Sequence, residues 1–204
     1  MHLIGSTILG VIIVLLLGAL VAVKQLATGS VLDKPQGTWL VQLVNIFNLF
    51  FLLIVNRLAA IGLIAGVLAE FDPTHIMVSF GWLLMSLEIL GLLLYLIGFW
   101  LMGWALLTLG SFYQLGGSAP RSQDRMVMQG PYRLIRHPMY TAALCISLGL
   151  SLLIQSAAFL GVFVIYLVLI LQLIPAEEIE LEKAYGAEYI RYEHKTRKLV
   201  PIIY

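Results

Sequence analysis

The chain has 204 residues, of which 61% are hydrophobic and only 11% charged, with a formal net charge of +1. Soluble domains carry about 25% charged residues, so a chain this apolar cannot cover itself with a water-compatible surface and must sit in a membrane. The lone cysteine, Cys145, excludes an intramolecular disulfide and any CxxC metal or redox site, and its apolar setting marks it as an inert packing residue.

A membrane-crossing helix needs about 20 predominantly apolar residues. The first candidate runs from His2 to Val23. No basic stretch precedes it and no small-residue cleavage site follows, so it reads as a retained span and not as a signal peptide. The second, Thr38 to Ala69, is interrupted by Asn45, Asn48 and the pair Asn56-Arg57; it is either one long span or a helix broken near Arg57. The third runs from about Ile76 to Leu109. Pro138–Leu153 and Ala157–Ile174 are separated by Ile154-Gln155-Ser156 alone and predict a tight helical hairpin. No strand pattern or repeat occurs, and only helices satisfy their backbone in lipid without closing a barrel. The expected fold is therefore an all-α bundle of about five spans.

Eleven of the twelve Lys and Arg residues fall after spans one, three and five, which share one face in this topology; Arg57 is the exception. The opposite face receives Glu70, Asp72 and His75. The positive-inside rule then places the N-terminus outside and the C-terminus in the cytoplasm of a multi-pass cell-membrane protein. The polar chemistry is confined to two cytoplasmic pieces, Gly110–His137 and Pro175–Tyr204.

The first piece ends in GPYRLIRHPMYT, Gly130 to Thr141. Pro138 disfavours helix at His137 and suits a first helical position. His137 thus caps a helix whose free N–H groups and positive dipole end welcome a carboxylate or phosphate. Arg133 and Arg136 add positive charge one turn earlier, although they also fit a plain membrane boundary. The second piece begins Pro175-Ala176-Glu177-Glu178, which by itself reads as a helix start with acids complementing the dipole. A tight hairpin would nevertheless bring His137 and Tyr140 up to Glu177. A cationic helix end facing a carboxylate suits a zwitterionic or cationic ligand. Glu88 lies inside the third span, where it either binds a polar substrate group or hydrogen-bonds to another span. Tyr95, Trp100, Trp104 and Tyr113 read as packing or interface anchors. No G-x-G-x-x-G, Walker loop or H-E-x-x-H occurs, and four scattered histidines make no metal site.

Taken together, DRMVMQGPYRLIRHPMYT, the short hairpin and EEIELEKAYGAEYIRYEHKTRKLVP closely resemble the isoprenylcysteine carboxyl methyltransferase and phospholipid methyltransferase superfamily. The resemblance covers roughly residues 110–204, implying a catalytic region there and a membrane scaffold in residues 1–109. It implies an integral membrane methyltransferase that uses S-adenosylmethionine, releases S-adenosylhomocysteine, and takes a small lipophilic acceptor sideways from the bilayer. Carried over by position, the cofactor would contact Asp124, Arg125, Met126 and Val127, then Tyr132, the quartet His137-Pro138-Met139-Tyr140, and Glu177 with Glu178. Tyr140, His137, Arg136 and Glu88 are the candidate catalytic residues. No metal and no nucleic acid are expected.

The sequence departs from that family at one position. Carboxyl-methylating members carry an arginine four residues before the cofactor-binding glutamate, where this chain has Leu173. Arg133 or Arg136 would have to substitute, or the acceptor is an amine, thiol or phenol. Two other readings fit parts of the chain. One is a membrane reductase related to the longer sterol reductases; the other is a non-catalytic membrane binder of small molecules.

Overall fold

A computed structural model of the chain describes residues 5–30, 39–68, 72–76, 80–113 and 125–200. Their helices are α1 (Ser6–Thr28), α2 (Trp39–Phe50), α3 (Asn56–Ala65), α4 (Gly81–Leu109), α5 (Pro138–Ile154), α6 (Ala157–Tyr185) and α7 (Ala187–Glu193). A π-helical turn, Phe51–Val55, joins α2 to α3. Among the described residues, four helical runs are long and apolar enough to cross a membrane, and α5 is a shorter apolar helix beside them. This multi-pass, all-helical bundle is the architecture that the composition and the apolar runs require.

The stretch from Thr38 onward is one continuous helical run from Trp39 to Ala65, not a helix broken at Arg57. Its irregularity is the π turn immediately before Asn56. The Asn56 N–H reaches back five residues to the Phe51 carbonyl, and Asn56 Nδ2 donates to the same oxygen at 2.8 Å. Asn56 Oδ1 in turn accepts from the Tyr95 hydroxyl at 2.6 Å. Asn56 and Tyr95 are both fully buried. An unpaired polar group is costly in hydrocarbon, so this network pins α2–α3 to α4 at one register.

Close helix contact comes from small residues, the usual device where lipid offers no hydrophobic drive for association. A Cβ on Gly98 would lie 2.7 Å from Ile146 Cγ1 and 2.8 Å from the Ala142 carbonyl; one on Gly149 would lie 2.7 Å from the Gly91 carbonyl. α4 and α5 are therefore in backbone contact and antiparallel. At 1.5 Å per residue, α5 is about 25 Å long against roughly 43 Å for α4. Because Ala142 packs level with Gly98, the start of α5 lies about 10 Å inside the end of α4. The shortness of α5 sinks its N-terminus, with His137 as the cap, beneath the rim of the bundle.

At the other end, α5 and α6 are joined by Gln155, whose φ of 57° puts it in the left-handed region. Ser156 caps α6 by accepting from the Phe159 N–H. The segment 72–76 closes over this turn through the Ile76 N–H to Gln155 carbonyl bond and the Ala157 N–H to Thr74 carbonyl bond. The hairpin is thus present, but its second helix does not stop at the membrane face. α6 runs through Pro175 to Tyr185, so the helix start read at Pro175 is absent. The proline removes its own N–H bond to the Leu171 carbonyl and sets its ring against that oxygen. Burial of Ile174, Glu177 and Glu178 holds the helix together on both sides of it.

Candidate active site

The site is built on the sunken cap of α5. The approach to it is a 3₁₀ turn, Gly130–Arg133. Gly130 has φ +56°, and a Cβ there would sit 2.5 Å from Thr108 Oγ1 and 3.2 Å from Trp104 Nε1. Only glycine both adopts that backbone and lets the turn press against α4. The chain then extends through Ile135 and Arg136 and pairs with the C-terminal segment. The Arg136 N–H donates to the Arg197 carbonyl at 2.7 Å, the His137 N–H to the Lys198 carbonyl at 3.1 Å, and the Arg197 N–H to the Leu134 carbonyl at 3.2 Å. Thr141 Oγ1 donates to the Leu199 carbonyl at 2.7 Å. The tail is therefore a clamp on the cap. Tyr192 completes it by donating to the Tyr132 carbonyl at 2.7 Å. Burial pushes the phenols of Tyr192 and Tyr132 well above their ordinary range, so Tyr192 stays a neutral donor.

The two adjacent glutamates divide the work. Glu178 faces the clamp: its Oε1 is 2.8 Å from Arg136 Nε and its Oε2 is 2.9 Å from Lys198 Nζ. Arg136 also donates to the Glu193 and Thr196 carbonyls at 3.1 and 2.9 Å and to Glu193 Oε1 at 3.3 Å. Glu177 faces inward. Its Oε1 accepts from the Tyr140 hydroxyl at 2.5 Å, and its Oε2 lies 3.6 Å from His137 Nδ1. The His137 and Tyr140 rings stack, with centroids 5.7 Å apart. His137 Nε2 is buried without a hydrogen bond, 3.5 Å from Glu178 Oε1.

These inward groups form one end of a cavity of about 240 Å³. Of the candidate residues, Tyr132, His137, Pro138, Met139, Tyr140 and Glu177 line it. Its apolar wall comes from α1 (Leu17, Leu20 and Val21), α2 and the π turn after it (Leu49, Leu52 and Leu53) and α4 (Met102 and Leu106). One end is polar and the other is as apolar as lipid. The wall draws on residues both before and after 110.

Several candidates fall elsewhere. Arg136 touches the cavity, but its guanidinium is committed to the clamp, and Arg133 is exposed. Glu178 points into the clamp and does not line the cavity. Arg125, Met126 and Val127 lie on the approaching strand of chain, not in the cavity wall; Asp124 is outside the described residues. Glu88 lines a separate cavity of about 140 Å³ with Asp72 and His75 at the other end of the bundle. Met102, which borders the first cavity, is fourteen residues further along α4, about 21 Å. Glu88 is therefore no partner of His137. Leu173 is fully buried in the core, so that position offers the cavity no charge. Lys24, Asn45 and Asn48, which belong to no functional motif of the chain, also line the cavity. Tyr113, read as a packing anchor, also lines it, beneath the Lys24 ammonium at 5.2 Å. The spacing of two asparagines in an apolar helix was the available signal for the amides; nothing in the sequence brings Lys24 to the site.

Residues 86–188, half of the chain, match the model of the phospholipid methyltransferase family. The chain belongs to this family. The matched stretch begins just before Glu88 and ends in α7, so it includes the cap, the hairpin and both glutamates. Among solved structures, the chain is similar to the eukaryotic intramembrane Ras methyltransferase isoprenylcysteine carboxyl methyltransferase, with a TM-score of 0.52 and 19% identity. That likeness covers 80% of this chain and 74% of the other, so the shared fold extends beyond the family match. No curated protein matches the chain. As a phospholipid methyltransferase family member, the protein is a multi-pass membrane protein of the methyltransferase class, and its polar cavity end lies within the segment that the family defines.

Proposed function

We propose that the protein is an S-adenosylmethionine-dependent methyltransferase acting on a small lipophilic acceptor that enters from the bilayer. The observation that carries this reading is the cavity, with the His137–Tyr140–Glu177 cluster at one end and hydrocarbon-lined walls at the other. The residues present suit the cofactor. Glu177 is a buried carboxylate turned toward the cavity, His137 Nε2 is buried without a hydrogen bond, and the first N–H groups of α5 have no helical partners. When bound, S-adenosylmethionine supplies a methyl group on a cationic sulfur.

Around it, Glu177 would hold the positively charged part of the cofactor, and Tyr140, donating to Glu177, fixes the orientation of that carboxylate. The N-terminus of α5 and Lys24 would receive a carboxylate. Met139 and Pro138 complete the wall on the cap side. Sinking the cap beneath the rim keeps water from the reacting groups, and a displacement at carbon needs alignment and a dry site above all. His137 is the group placed to take a proton from an acceptor that must lose one. The cavity end and the tail belong to the cytoplasmic side and the N-terminus to the outside, in line with the clustering of Lys and Arg on that end.

The test is calorimetric binding of S-adenosylhomocysteine to the protein in lipid nanodiscs. Binding is expected, and Glu177→Ala should weaken it at least tenfold, since a buried charged hydrogen bond is worth about 1.5–3 kcal/mol. No binding to the wild type would overturn the cofactor. Unaltered binding by Glu177→Ala would overturn the site.

A further inference from the structure

Two asparagines one turn apart on α2, Asn45 and Asn48, both face the cavity. Amides in the hydrocarbon region are costly unless each polar atom has a partner, and here the partners are allotted unevenly. Asn45 Nδ2 donates to the Val41 carbonyl at 2.8 Å, and its Oδ1 has no hydrogen bond among the described residues. Asn48 Oδ1 accepts from the Tyr166 hydroxyl, and its Nδ2 donates to nothing among them. Tyr166 is buried and cannot swing away: its ring is stacked on Phe47, with centroids 4.9 Å apart and planes 22° from parallel. With Oδ1 taken by the Tyr166 hydroxyl, Nδ2 is turned from Tyr166. The cavity wall thus presents one open acceptor and one open donor, a turn apart, between its polar end and its apolar one.

We infer that Asn45 and Asn48 read the head group of the acceptor, and that this head group is neutral and both donates and accepts a hydrogen bond: an alcohol, phenol or amide, not a carboxylate. The inference rests on the reading of this cavity as the acceptor's site. A carboxylate would satisfy Asn48 Nδ2 but would turn its lone pairs on Asn45 Oδ1, leaving two acceptors face to face in a low-dielectric wall. Discrimination built on an unpaired buried polar group is larger than any a hydrocarbon pocket achieves. The apolar walls from α1 and the π turn of α2–α3 then take the acceptor's hydrocarbon body. π turns inside α-helices are frequent at functional sites, and this one holds Leu52 and Leu53 in the cavity wall.

The experiment measures saturable binding of radiolabelled dodecanamide, dodecan-1-ol and dodecanoate to the protein in nanodiscs at pH 8, against protein-free nanodiscs. The three share one chain and differ in the head group. The amide and the alcohol should bind at least tenfold tighter than dodecanoate. Asn45→Leu should lower amide and alcohol affinity about tenfold and leave dodecanoate bound at least as tightly, because the facing acceptor is gone, and Asn48→Leu should lower amide and alcohol affinity about tenfold. Tyr166→Phe keeps both asparagines but frees the Asn48 amide, and should erase several-fold of the preference; it decides the matter if a leucine variant fails to fold by size-exclusion chromatography. Dodecanoate binding as tightly as the amide to the wild type would overturn the inference, as would variants that keep the wild-type ranking. S-adenosylhomocysteine binding is measured on the same samples. Its absence beside an intact ranking would remove the cofactor reading alone, and its presence without a ranking would remove this inference alone.

Discussion

Replacing Arg136 by methionine separates a structural arginine from a catalytic one. The guanidinium is 4% exposed and meets Glu178 Oε1 at 2.8 Å and the carbonyls of Glu193 and Thr196 at 3.1 and 2.9 Å. The contact to the Glu193 carboxylate is with a side chain 43% exposed and adds little. Breaking a buried ion pair from one side costs about 3–5 kcal/mol. Lys198 still neutralises Glu178 at 2.9 Å, which favours the lower figure. A loss of about 3 kcal/mol lowers the docked-to-undocked ratio of the tail roughly a hundredfold, at about 1.4 kcal/mol per tenfold. Hydrogen exchange of the nanodisc-embedded protein reads this directly. The Arg197 amide, which donates to the Leu134 carbonyl, should lose about a hundredfold of protection, while amides in the middle of α4 keep theirs. S-adenosylhomocysteine affinity should fall only through the undocked fraction and recover with excess ligand. Wild-type protection at Arg197 with abolished ligand binding would refute the clamp and return Arg136 to the binding machinery.

The adjacent glutamates should show opposite phenotypes. Glu177→Gln weakens S-adenosylhomocysteine binding without loosening the tail, whereas Glu178→Gln loosens the tail first; hydrogen exchange and calorimetry on both variants check the pair. Gly98→Ala places a methyl group 2.7–2.9 Å from Ile146 and Ala142 and should cost about 1–3 kcal/mol by overpacking. Gly161→Ala, with nothing within 4 Å, should be neutral or stabilise by up to about 1 kcal/mol; thermal unfolding of the two variants compares them. Tyr95→Phe removes the donor to Asn56 and should lower stability by about 0.6–1.7 kcal/mol, the range for such bonds within membranes. A wild-type melting temperature there would mean that the π turn is not held by this network.

Long apolar runs are legible because hydropathy acts residue by residue: a helix needs no partner to satisfy its backbone in lipid. The spans, the hairpin and the cap at His137-Pro138 were therefore visible in the chain, and so was the pairing of that cap with Glu177, since a three-residue turn leaves two helix ends little choice of neighbour. Pro175 misled because local propensity reads a proline as a boundary, while the burial of Ile174, Glu177 and Glu178 on either side outweighs its lost bond and ring clash. Glu88 misled for a related reason. An acid in a span announces a function or a partner but not which end of the bundle it serves, and the register of α4 against α5, set by Gly91, Gly98 and Gly149, was what placed it with Asp72 and His75. Tertiary structure alone decided which of two neighbouring glutamates faces the cavity, that Arg136 is absorbed by the tail, and that α1 and α2 supply Lys24, Asn45 and Asn48. Each depends on the rotation of one helix against another, a quantity fixed by close packing across the bundle and carried by no single segment of the sequence.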